Sequence, residues 1–281
     1  MAETAPRLLL LIPAHNEEQR IGPVLREFAE HFRRHYPGAF RIVVVLNGCT
    51  DNTEGVVGRM AADFPEVTYL NFPERIGKGG ALIEGLKLAP EADLIGYVDA
   101  DGATGPAAFL KLVSLAPQAD CVIGSRWLPG AVLHQRQTWL RRLFSRAFHL
   151  IVQVLLRLNL KDTQCPAKVL HRAAVEAVHD ALQIADLAFD VNLLYVLKRR
   201  GFRILEVPIE WTDKLGSKVT QSLLRSSVVM FLSVVRLRLV YSPFYRWLEP
   251  LRPLETWLYL KLKAPPPRVN STDESSDTAL R

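Results

Sequence analysis

The sequence predicts an α/β fold in which a mostly parallel β-sheet is flanked by helices on both faces. Short apolar runs rich in Val, Ile and Leu recur through the first 125 residues, and segments of helical character separate them. Near-continuous apolar runs are typical of parallel strands, because such strands are buried on both faces. The predicted strands cover residues 8–12, 40–46, 67–72, 94–98 and 121–123, and the predicted helices lie near residues 21–36, 52–64 and 79–88.

A polar segment follows each predicted strand, and this pattern indicates where a ligand would bind. In open α/β sheets, ligands bind outside the carboxyl ends of the strands, and the carboxyl ends of parallel strands meet at one edge. We therefore expect the five polar segments to lie together. They cover residues 13–17, 47–51, 75–80, 99–101 and 124–126.

The length and composition suit one large domain, since 49% of the 281 residues are hydrophobic. The three cysteines, Cys49, Cys121 and Cys165, are scattered and form no CxxC. This argues against a disulfide scaffold or a zinc knuckle and suits a reducing compartment. The apolar run at residues 8–12 is too short for a signal sequence and ends at Pro13, so we interpret it as the first strand.

The charge is unevenly distributed along the chain. The net charge is +6, but residues 1–120 contain 11 Lys and Arg against 16 Asp and Glu, whereas residues 121–281 contain 24 against 13. A basic half predicts an anionic partner such as a phosphate, a membrane or a nucleic acid. We do not expect nucleic acid, because the chain has no helix-turn-helix, RNP-like or zinc-finger pattern.

The second half contains long apolar segments edged by Arg and Trp, at residues 139–160 and 219–240. A membrane-spanning helix needs about 20 apolar residues, and neither segment qualifies alone. Each is predicted to be an amphipathic helix, either at a membrane interface or packed on the core. Residues 245–263 carry further Trp and Tyr and could also lie at a bilayer surface, and residues 264–281 are predicted to be disordered. The expected organisation is a main domain over residues 1–215, interfacial helices over 216–263 and a tail.

Asp99 and Asp101 follow a predicted strand and flank a single residue, so their like charges would repel each other. A divalent cation between them would relieve this repulsion, since carboxylate oxygens are hard ligands. Such a cation can bridge a pyrophosphate and neutralise a departing nucleoside diphosphate. A solvated turn is the simpler alternative, because Asp is common in turns. The neighbouring polar strand ends favour the metal site.

Two basic groups are candidate phosphate contacts. Lys78 lies in the Gly-rich segment 77–80 that opens a predicted helix, where glycines and the helix N-terminus favour anions, although the Walker spacing is absent. The simpler interpretation of this segment is a glycine turn. The second group surrounds Ser145 and suits bidentate phosphate binding, with a solvated basic helix face as the alternative. Its members are Arg126, Arg141, Arg142 and Arg146.

Short motifs give the sequence a family resemblance. "PAHNEE", "NGCTDNT", "GKGGAL", "DADGAT", "GSR", "DTQC", "FDV" and "GSK" occur in an order that resembles the dolichyl- and polyprenyl-phosphate β-glucosyltransferases, which are family-2 glycosyltransferases of the GT-A fold. The resemblance covers roughly residues 8–238. The family's Asp-Asp-Gly-Ser is here Leu46 to Cys49, and its "DTQCGFK" is here Asp162 to Lys168. The eukaryotic members carry an N-terminal anchor, whereas this chain starts at the first strand, so we expect a monotopic protein of prokaryotic type.

The resemblance implies inverting transfer of glucose from UDP-glucose to a polyprenyl or dolichyl phosphate, with Mg²⁺ or Mn²⁺, at the cytoplasmic face of the cell membrane. It implies peripheral attachment to that membrane and leaves the oligomeric state open. By motif, the resemblance assigns the uridine to Pro13, His15, Glu17 and Asn47, the diphosphate to Lys78 and Asp99, and the metal to Asp101 with Asp99. It assigns the acceptor phosphate to Arg126, Arg141 and Ser145, and implies that Asp162 organises those arginines or acts as a base. Asp190 and Lys218 complete the sugar and phosphate surroundings.

Two other functions stay open at this point. One is a family-2 enzyme that uses another nucleotide sugar, or a soluble or lipid hydroxyl acceptor, which would need a base such as Asp162 or Asp190. The other is a membrane- or nucleotide-binding scaffold without activity. The intact pair of Asp99 and Asp101 speaks against the scaffold.

Overall fold

The computed structural model describes residues 5–134, 139–182, 188–212 and 223–241. The strands in these ranges are β1 (Leu8–Ala14), β2 (Phe40–Asn47), β3 (Val67–Phe72), β4 (Leu94–Tyr97), β5 (Cys121–Ser125), β6 (Val132–Leu133), β7 (Lys168–His171), β8 (Ile204–Pro208) and β9 (Glu210–Trp211). The α-helices are α1 (Ile21–His35), α2 (Thr53–Asp63), α3 (Gly77–Leu86), α4 (Pro106–Ser114), α5 (Trp139–Leu156), α6 (Arg172–Val178), α7 (Phe189–Arg199) and α8 (Leu223–Val240).

Seven strands form one sheet in the order β3-β2-β1-β4-β7-β5-β8. β1 pairs in parallel with β2 and β4, β2 with β3, and β5 with β8, whereas β7 runs antiparallel between β4 and β5. The carboxyl ends of β1 to β5 therefore share one edge. The five predicted strands and the predicted parallel α/β class are confirmed, and the sheet additionally contains β7 and β8.

The two faces of the sheet carry separate hydrophobic cores, as the apolar character of β1 predicts. Leu9 and Leu11 pack with residues of α3, α6 and α7, whereas Leu8, Leu10 and Ile12 pack with α1, α2 and α4. These β1 side chains are at most 2% exposed. Full burial of a Leu or Ile stabilises the fold by about 1.5–3 kcal/mol. The strand ends that carry polar residues are thus anchored by an apolar scaffold.

Gly96 allows three elements to meet in the middle of the sheet. A Cβ on this β4 residue would lie 2.5 Å from Cζ of Phe109 in α4 and 2.7 Å from the carbonyl oxygen of Lys168 in β7. Both distances are too short for a real side chain, so only glycine permits this packing. The close approach fixes β7 against β4, immediately before Asp99 and Asp101.

Helices α5 and α8 pack against each other. Phe148 and Val152 of α5, and Val234 of α8, are buried in the same core. Other apolar side chains of these helices face outward, since Leu150 is 63% exposed and Val154 is 67% exposed. Within the described ranges, no helix is both long enough and apolar enough to cross a bilayer. The predicted segments 245–263 and 264–281 lie outside the described residues.

Candidate active site

Charged residues from three parts of the fold meet at the carboxyl edge of the sheet. Asp99 and Asp101 follow β4, Lys78 lies in the first turn of α3, and Asp190 lies in the first turn of α7. Nζ of Lys78 is 2.6 Å from Oδ1 of Asp99 and 3.9 Å from Oδ2 of Asp190. Burial alone would lower the pKa of Lys78, but the negative charges of Asp99 and Asp190 raise it above its ordinary value. Lys78 is therefore a cation.

Asp190 is held by a buried lysine that the sequence reasoning missed. Nζ of Lys168 is 2.5 Å from Oδ1 of Asp190 and also donates to the carbonyl oxygen of Cys165 at 2.5 Å. The Tyr97 hydroxyl donates to the same Oδ1 at 2.7 Å. Burial would raise the pKa of Asp190, but the charges of Lys168 and Lys78 outweigh it and lower the pKa. Asp99, Lys78, Asp190 and Lys168 thus form a row of alternating charges.

Asp101 is partly buried and begins a tight turn of the chain. Its Oδ1 accepts a hydrogen bond from the backbone N–H of Ala103 at 3.0 Å. Gly102 has a φ of +70°, a conformation that favours glycine, and it turns the chain between Asp101 and Ala103. Burial, followed by the charge of Asp99, raises the pKa of Asp101. A bound cation would offset both effects.

The donor set fits a divalent cation that is shared with a phosphate ligand. Asp99 and Asp101 supply hard carboxylate oxygens, which suit Mg²⁺ or Mn²⁺. No group of three or more His, Cys, Asp or Glu side chains in the described part of the chain could hold a metal ion alone. Mg²⁺ is commonly bound by one or two carboxylates together with substrate phosphates and water. Two carboxylates beside a cationic Lys78 match that pattern.

The residues predicted to hold the uridine lie between the ends of β1 and β2. Nδ1 of His15 is 2.8 Å from the carbonyl oxygen of Asn47, and Oδ1 of Asn47 accepts the backbone N–H of Ile76 at 2.8 Å. Both carboxylate oxygens of Glu17 accept hydrogen bonds from Arg20 at 2.7 Å. Pro13 is part of β1. These contacts join three of the predicted polar loops into one rim.

At the carboxyl end of β5, Arg126 and Asp162 form a nearly buried ion pair. Nε of Arg126 is 2.7 Å from Oδ2 of Asp162 and Nη2 is 2.9 Å from Oδ1, and the side chains are 16% and 3% exposed. Burial would raise the pKa of Asp162, but the charge and hydrogen bonds of Arg126 lower it. Glu206 of β8 accepts the backbone N–H groups of Lys161 at 2.9 Å and Asp162 at 2.7 Å. The loop that carries Asp162 is thereby fixed to the sheet.

Three predicted site residues, Arg141, Ser145 and Lys218, lie partly or wholly outside the residues that the structure describes. The backbone of Arg141 and Ser145 belongs to α5, but their side chains lie outside the described ones, as does the whole of Lys218. Sequence reasoning assigned no role to Lys168, Tyr97, Glu206 or Trp211. Two of these residues lie at or near a family motif, which is the signal that could have found them. Lys168 ends the segment from Asp162 to Lys168, and Trp211 lies shortly before the GSK motif.

A separate cavity of about 700 Å³ opens at the opposite edge of the sheet. Its lining includes Pro6, Leu94 and Ala116, which lie near the amino ends of β1, β4 and β5. None of the predicted site residues lines it. The motif residues therefore form a site of their own, away from this cavity.

Comparisons with known proteins agree on the family. The model of glycosyl transferase family 2 matches residues 10–178. Glycosyltransferase AglD of Haloferax volcanii is 32% identical over 213 residues, which are 75% of this chain and 34% of that protein. The dolichyl-phosphate β-glucosyltransferase of Dictyostelium discoideum is 30% identical over 246 residues, which are 83% of this chain and 74% of that protein.

A solved structure with a related fold is glucosyl-3-phosphoglycerate synthase from Mycobacterium tuberculosis, in complex with Mn²⁺, UDP and glucosyl-3-phosphoglycerate. Its TM-score is 0.62 at 17% identity, with 83% of this chain and 80% of that chain covered. The same enzyme with Mg²⁺ and UDP gives a TM-score of 0.61. At this identity the likeness shows the fold, which is GT-A.

The chain spans about a third of the length of AglD and 65% of a Trichomonas vaginalis dolichyl-phosphate β-glucosyltransferase, but nearly three quarters of the Dictyostelium protein. Three findings agree on the family. They are the motifs in the sequence, the parallel sheet with its charged carboxyl edge, and the matched family model. The chain belongs to glycosyl transferase family 2, and within it to the group that contains the dolichyl-phosphate β-glucosyltransferases.

Proposed function

We propose that this protein transfers glucose, with inversion, from UDP-glucose to a polyprenyl or dolichyl phosphate. The observation that carries the proposal is that the sheet order separates two basic groups. The strand β4, which leads to the aspartate pair, lies between β1–β3 and β5. Lys78 of α3, which follows β3, contacts Asp99, whereas Arg126 follows β5 and is held by Asp162. Two phosphate-bearing substrates, a nucleotide sugar and a lipid phosphate, require two such groups.

On the donor side, Asp101 and Asp99 would hold Mg²⁺ or Mn²⁺, and Lys78 would contact the diphosphate. When bound, the metal neutralises charge that develops on the leaving UDP. The uridine would lie against the rim formed by Pro13, His15, Glu17 and Asn47. The related GT-A structures contain UDP with Mn²⁺ or Mg²⁺ and support this assignment.

On the acceptor side, Arg126, Arg141 and Ser145 would hold the lipid phosphate. Asp190 and Lys218 would complete the surroundings of the sugar and the phosphate, between the two sides. A phosphate monoester is already largely ionised at neutral pH, so its oxygen can attack without a general base. Catalysis then depends on positioning and on charge stabilisation.

The contacts of the two candidate bases favour a phosphate acceptor over a hydroxyl acceptor. The pKa of Asp162 is lowered by Arg126, and the pKa of Asp190 is lowered by Lys168 and Lys78. A general base works best when its pKa lies near the operating pH. We therefore propose that Asp162 organises Arg126 and that Asp190 organises Lys78.

Helices α5 and α8 would contact the membrane surface, where the lipid acceptor lies. Leu150 and Val154 of α5 and Phe231 of α8 are exposed apolar side chains, with Phe231 40% exposed. Leu150 and Val154 are four residues apart and so share one helix face. A helix with an apolar outer face and basic residues suits peripheral attachment to an anionic leaflet, which supports attachment at the cytoplasmic face of the membrane as part of this proposal.

The direct test is a transfer assay with the full chain, labelled UDP-glucose, Mg²⁺ or Mn²⁺ and a polyprenyl phosphate. The expected result is label in the organic phase, and Asp101→Asn should reduce it at least about 100-fold because the metal site loses a charge. Asp63→Asn is the matched control, since Asp63 is an exposed carboxylate of α2. Label from another nucleotide sugar but not from UDP-glucose would overturn the donor, and a water-soluble product alone would overturn the acceptor.

A further inference from the structure

The aromatic ring of Trp211 covers one face of the Arg126 guanidinium. Cζ of Arg126 lies 5.0 Å from the ring centroid, and Trp211 is only 8% exposed. A guanidinium at this distance over an indole is attracted by the ring quadrupole, and the attraction strengthens when water is excluded. Trp211 therefore restrains the plane of Arg126 from above, while Asp162 restrains it from one edge.

Asp162 pairs with one edge of the Arg126 guanidinium, and other N–H groups of this side chain are not used by that pairing. Arginine has five side-chain N–H groups, and the two hydrogen bonds that the described residues give this side chain, from Nε and Nη2, both go to Asp162. With one edge paired and one face covered, the guanidinium presents its remaining N–H groups in a fixed direction. A fixed fork of this kind suits phosphate oxygens.

Trp211 is also tied to the loop that carries Asp101. The backbone N–H of Thr212, the next residue, donates to the carbonyl oxygen of Ala103 at 2.9 Å. The N–H of Ala103 in turn donates to Oδ1 of Asp101 at 3.0 Å. Trp211 thus stands between the proposed metal ligand and the proposed acceptor arginine.

The indole N–H of Trp211 is buried and has no hydrogen-bond partner among the described residues. A buried indole N–H normally finds an acceptor, and an unsatisfied one calls for an explanation. Among the described residues, the contact that ties the Trp211 side chain to the acceptor side is therefore its ring face on Arg126 and not a hydrogen bond.

We propose that Trp211 is a positioning residue for the acceptor: its ring fixes the plane of Arg126, so that the remaining N–H groups of the guanidinium keep one direction for the phosphate. This inference rests on the proposed function, since it takes Arg126 as the acceptor contact. Trp211 also packs with Val207 and Ile209 in one of the two cores, so a purely structural role is the alternative to be tested.

The experiment compares Trp211→Phe, which keeps an aromatic face for Arg126, with Trp211→Leu, which removes it. Phe109→Leu is the matched control, because Phe109 is fully buried in the same core but belongs to α4. The readouts are the KM for polyprenyl phosphate, the KM for the nucleotide sugar, and the thermal midpoint of each full-length variant.

The expected result is a rise in acceptor KM of about tenfold for Trp211→Leu, as for loss of a desolvated cation–π contact, and a smaller rise for Trp211→Phe. The donor KM should stay within about twofold. Phe109→Leu should lower the thermal midpoint and leave both KM values unchanged. Equal acceptor KM values for Trp211→Leu and Phe109→Leu, or a parallel rise in donor KM, would overturn the inference.

A double variant separates this inference from the proposed function. Arg126→Lys should raise the acceptor KM by itself, and adding Trp211→Leu should raise it little further, because the tryptophan acts largely through the arginine. If Arg126→Lys leaves the acceptor KM unchanged, the acceptor site itself is wrong and the inference fails with it. If Arg126→Lys raises the acceptor KM but the effects of Arg126→Lys and Trp211→Leu simply add, only the role of Trp211 is overturned.

Discussion

Asp162 binds Arg126 through three hydrogen bonds, two from the guanidinium and one from the backbone N–H at 3.0 Å from Oδ2. The carboxylate therefore fixes both the side chain and the main chain at the end of β5. A third residue, Glu206, fixes the backbone of Asp162. The arginine is held in place before any substrate binds, which lowers the ordering cost of binding.

Asp162→Asn tests whether this carboxylate organises Arg126 or acts as a base. The amide keeps the shape but loses the charge, so we expect the acceptor KM to rise about tenfold or more while substrate-saturated kcat falls less. Steady-state kinetics at saturating nucleotide sugar measure both constants. A fall of kcat by several orders of magnitude at unchanged KM would instead identify a base. Asp120→Asn, at a carboxylate before β5, is the control.

Lys78→Gln tests the donor side. The variant loses the cation proposed to contact the diphosphate, so the donor KM should rise about tenfold while the acceptor KM stays within twofold. Asp99, released from Lys78, should also bind the metal more tightly, which a Mn²⁺ titration of the activity measures. Lys87→Gln is the matched control, because Lys87 directly follows the same helix and its side chain is 55% exposed. Equal effects on both substrates would contradict a specific donor role.

Much of this site could be predicted from sequence, because the chain order places one polar segment after each apolar strand. β7 could not, since it has four residues and begins with a lysine that a pattern assigns to the surface. Lys168 is buried only because Asp190, 22 residues later, meets it in three dimensions. Asp190 itself was found through the family resemblance and not through its pattern. Tertiary pairing of this kind leaves no periodic signal in the sequence.

Lys168→Met should destabilise the protein, because it leaves the carboxylate of Asp190 buried with less compensation. Loss of one partner of a buried pair costs about 3–5 kcal/mol, and urea unfolding measures it. Lys168→Arg should cost less. Lys168→Met combined with Asp190→Asn should regain part of the loss, since both charges are then removed. A single variant as stable as the wild type would contradict the charge row.

The same pair predicts the direction of the pH dependence of stability. The pKa of Asp190 is lowered in the folded state, so its contribution is fully present above the ordinary Asp value of about 3.9 and is lost as the pH falls through the lower, folded value. In Asp190→Asn the loss of stability on acidification should be smaller than in the wild type. Urea midpoints between about pH 5 and pH 2.5 measure this difference.

Leu150→Glu combined with Val154→Glu tests the membrane contact. Two charges on the exposed face of α5 should weaken binding to vesicles of anionic lipid at least about tenfold, since burial of each apolar side chain contributes roughly 1.5–3 kcal/mol. Co-sedimentation of the full chain measures the bound fraction. Tyr69→Glu is the control, because Tyr69 is an exposed side chain of the edge strand β3 and not of α5. Unchanged binding of the double variant would remove α5 from the contact.

The central claim is that the acceptor is recognised by its phosphate. The most direct measurement compares transfer from labelled UDP-glucose to a polyprenyl phosphate and to the polyprenol of the same length, with wild type and Arg126→Lys side by side. The proposed function predicts organic-phase product from the phosphate, essentially none from the alcohol, and a raised KM for the phosphate in Arg126→Lys. Equal transfer to the alcohol, or a KM for the phosphate that Arg126→Lys leaves unchanged, would contradict it.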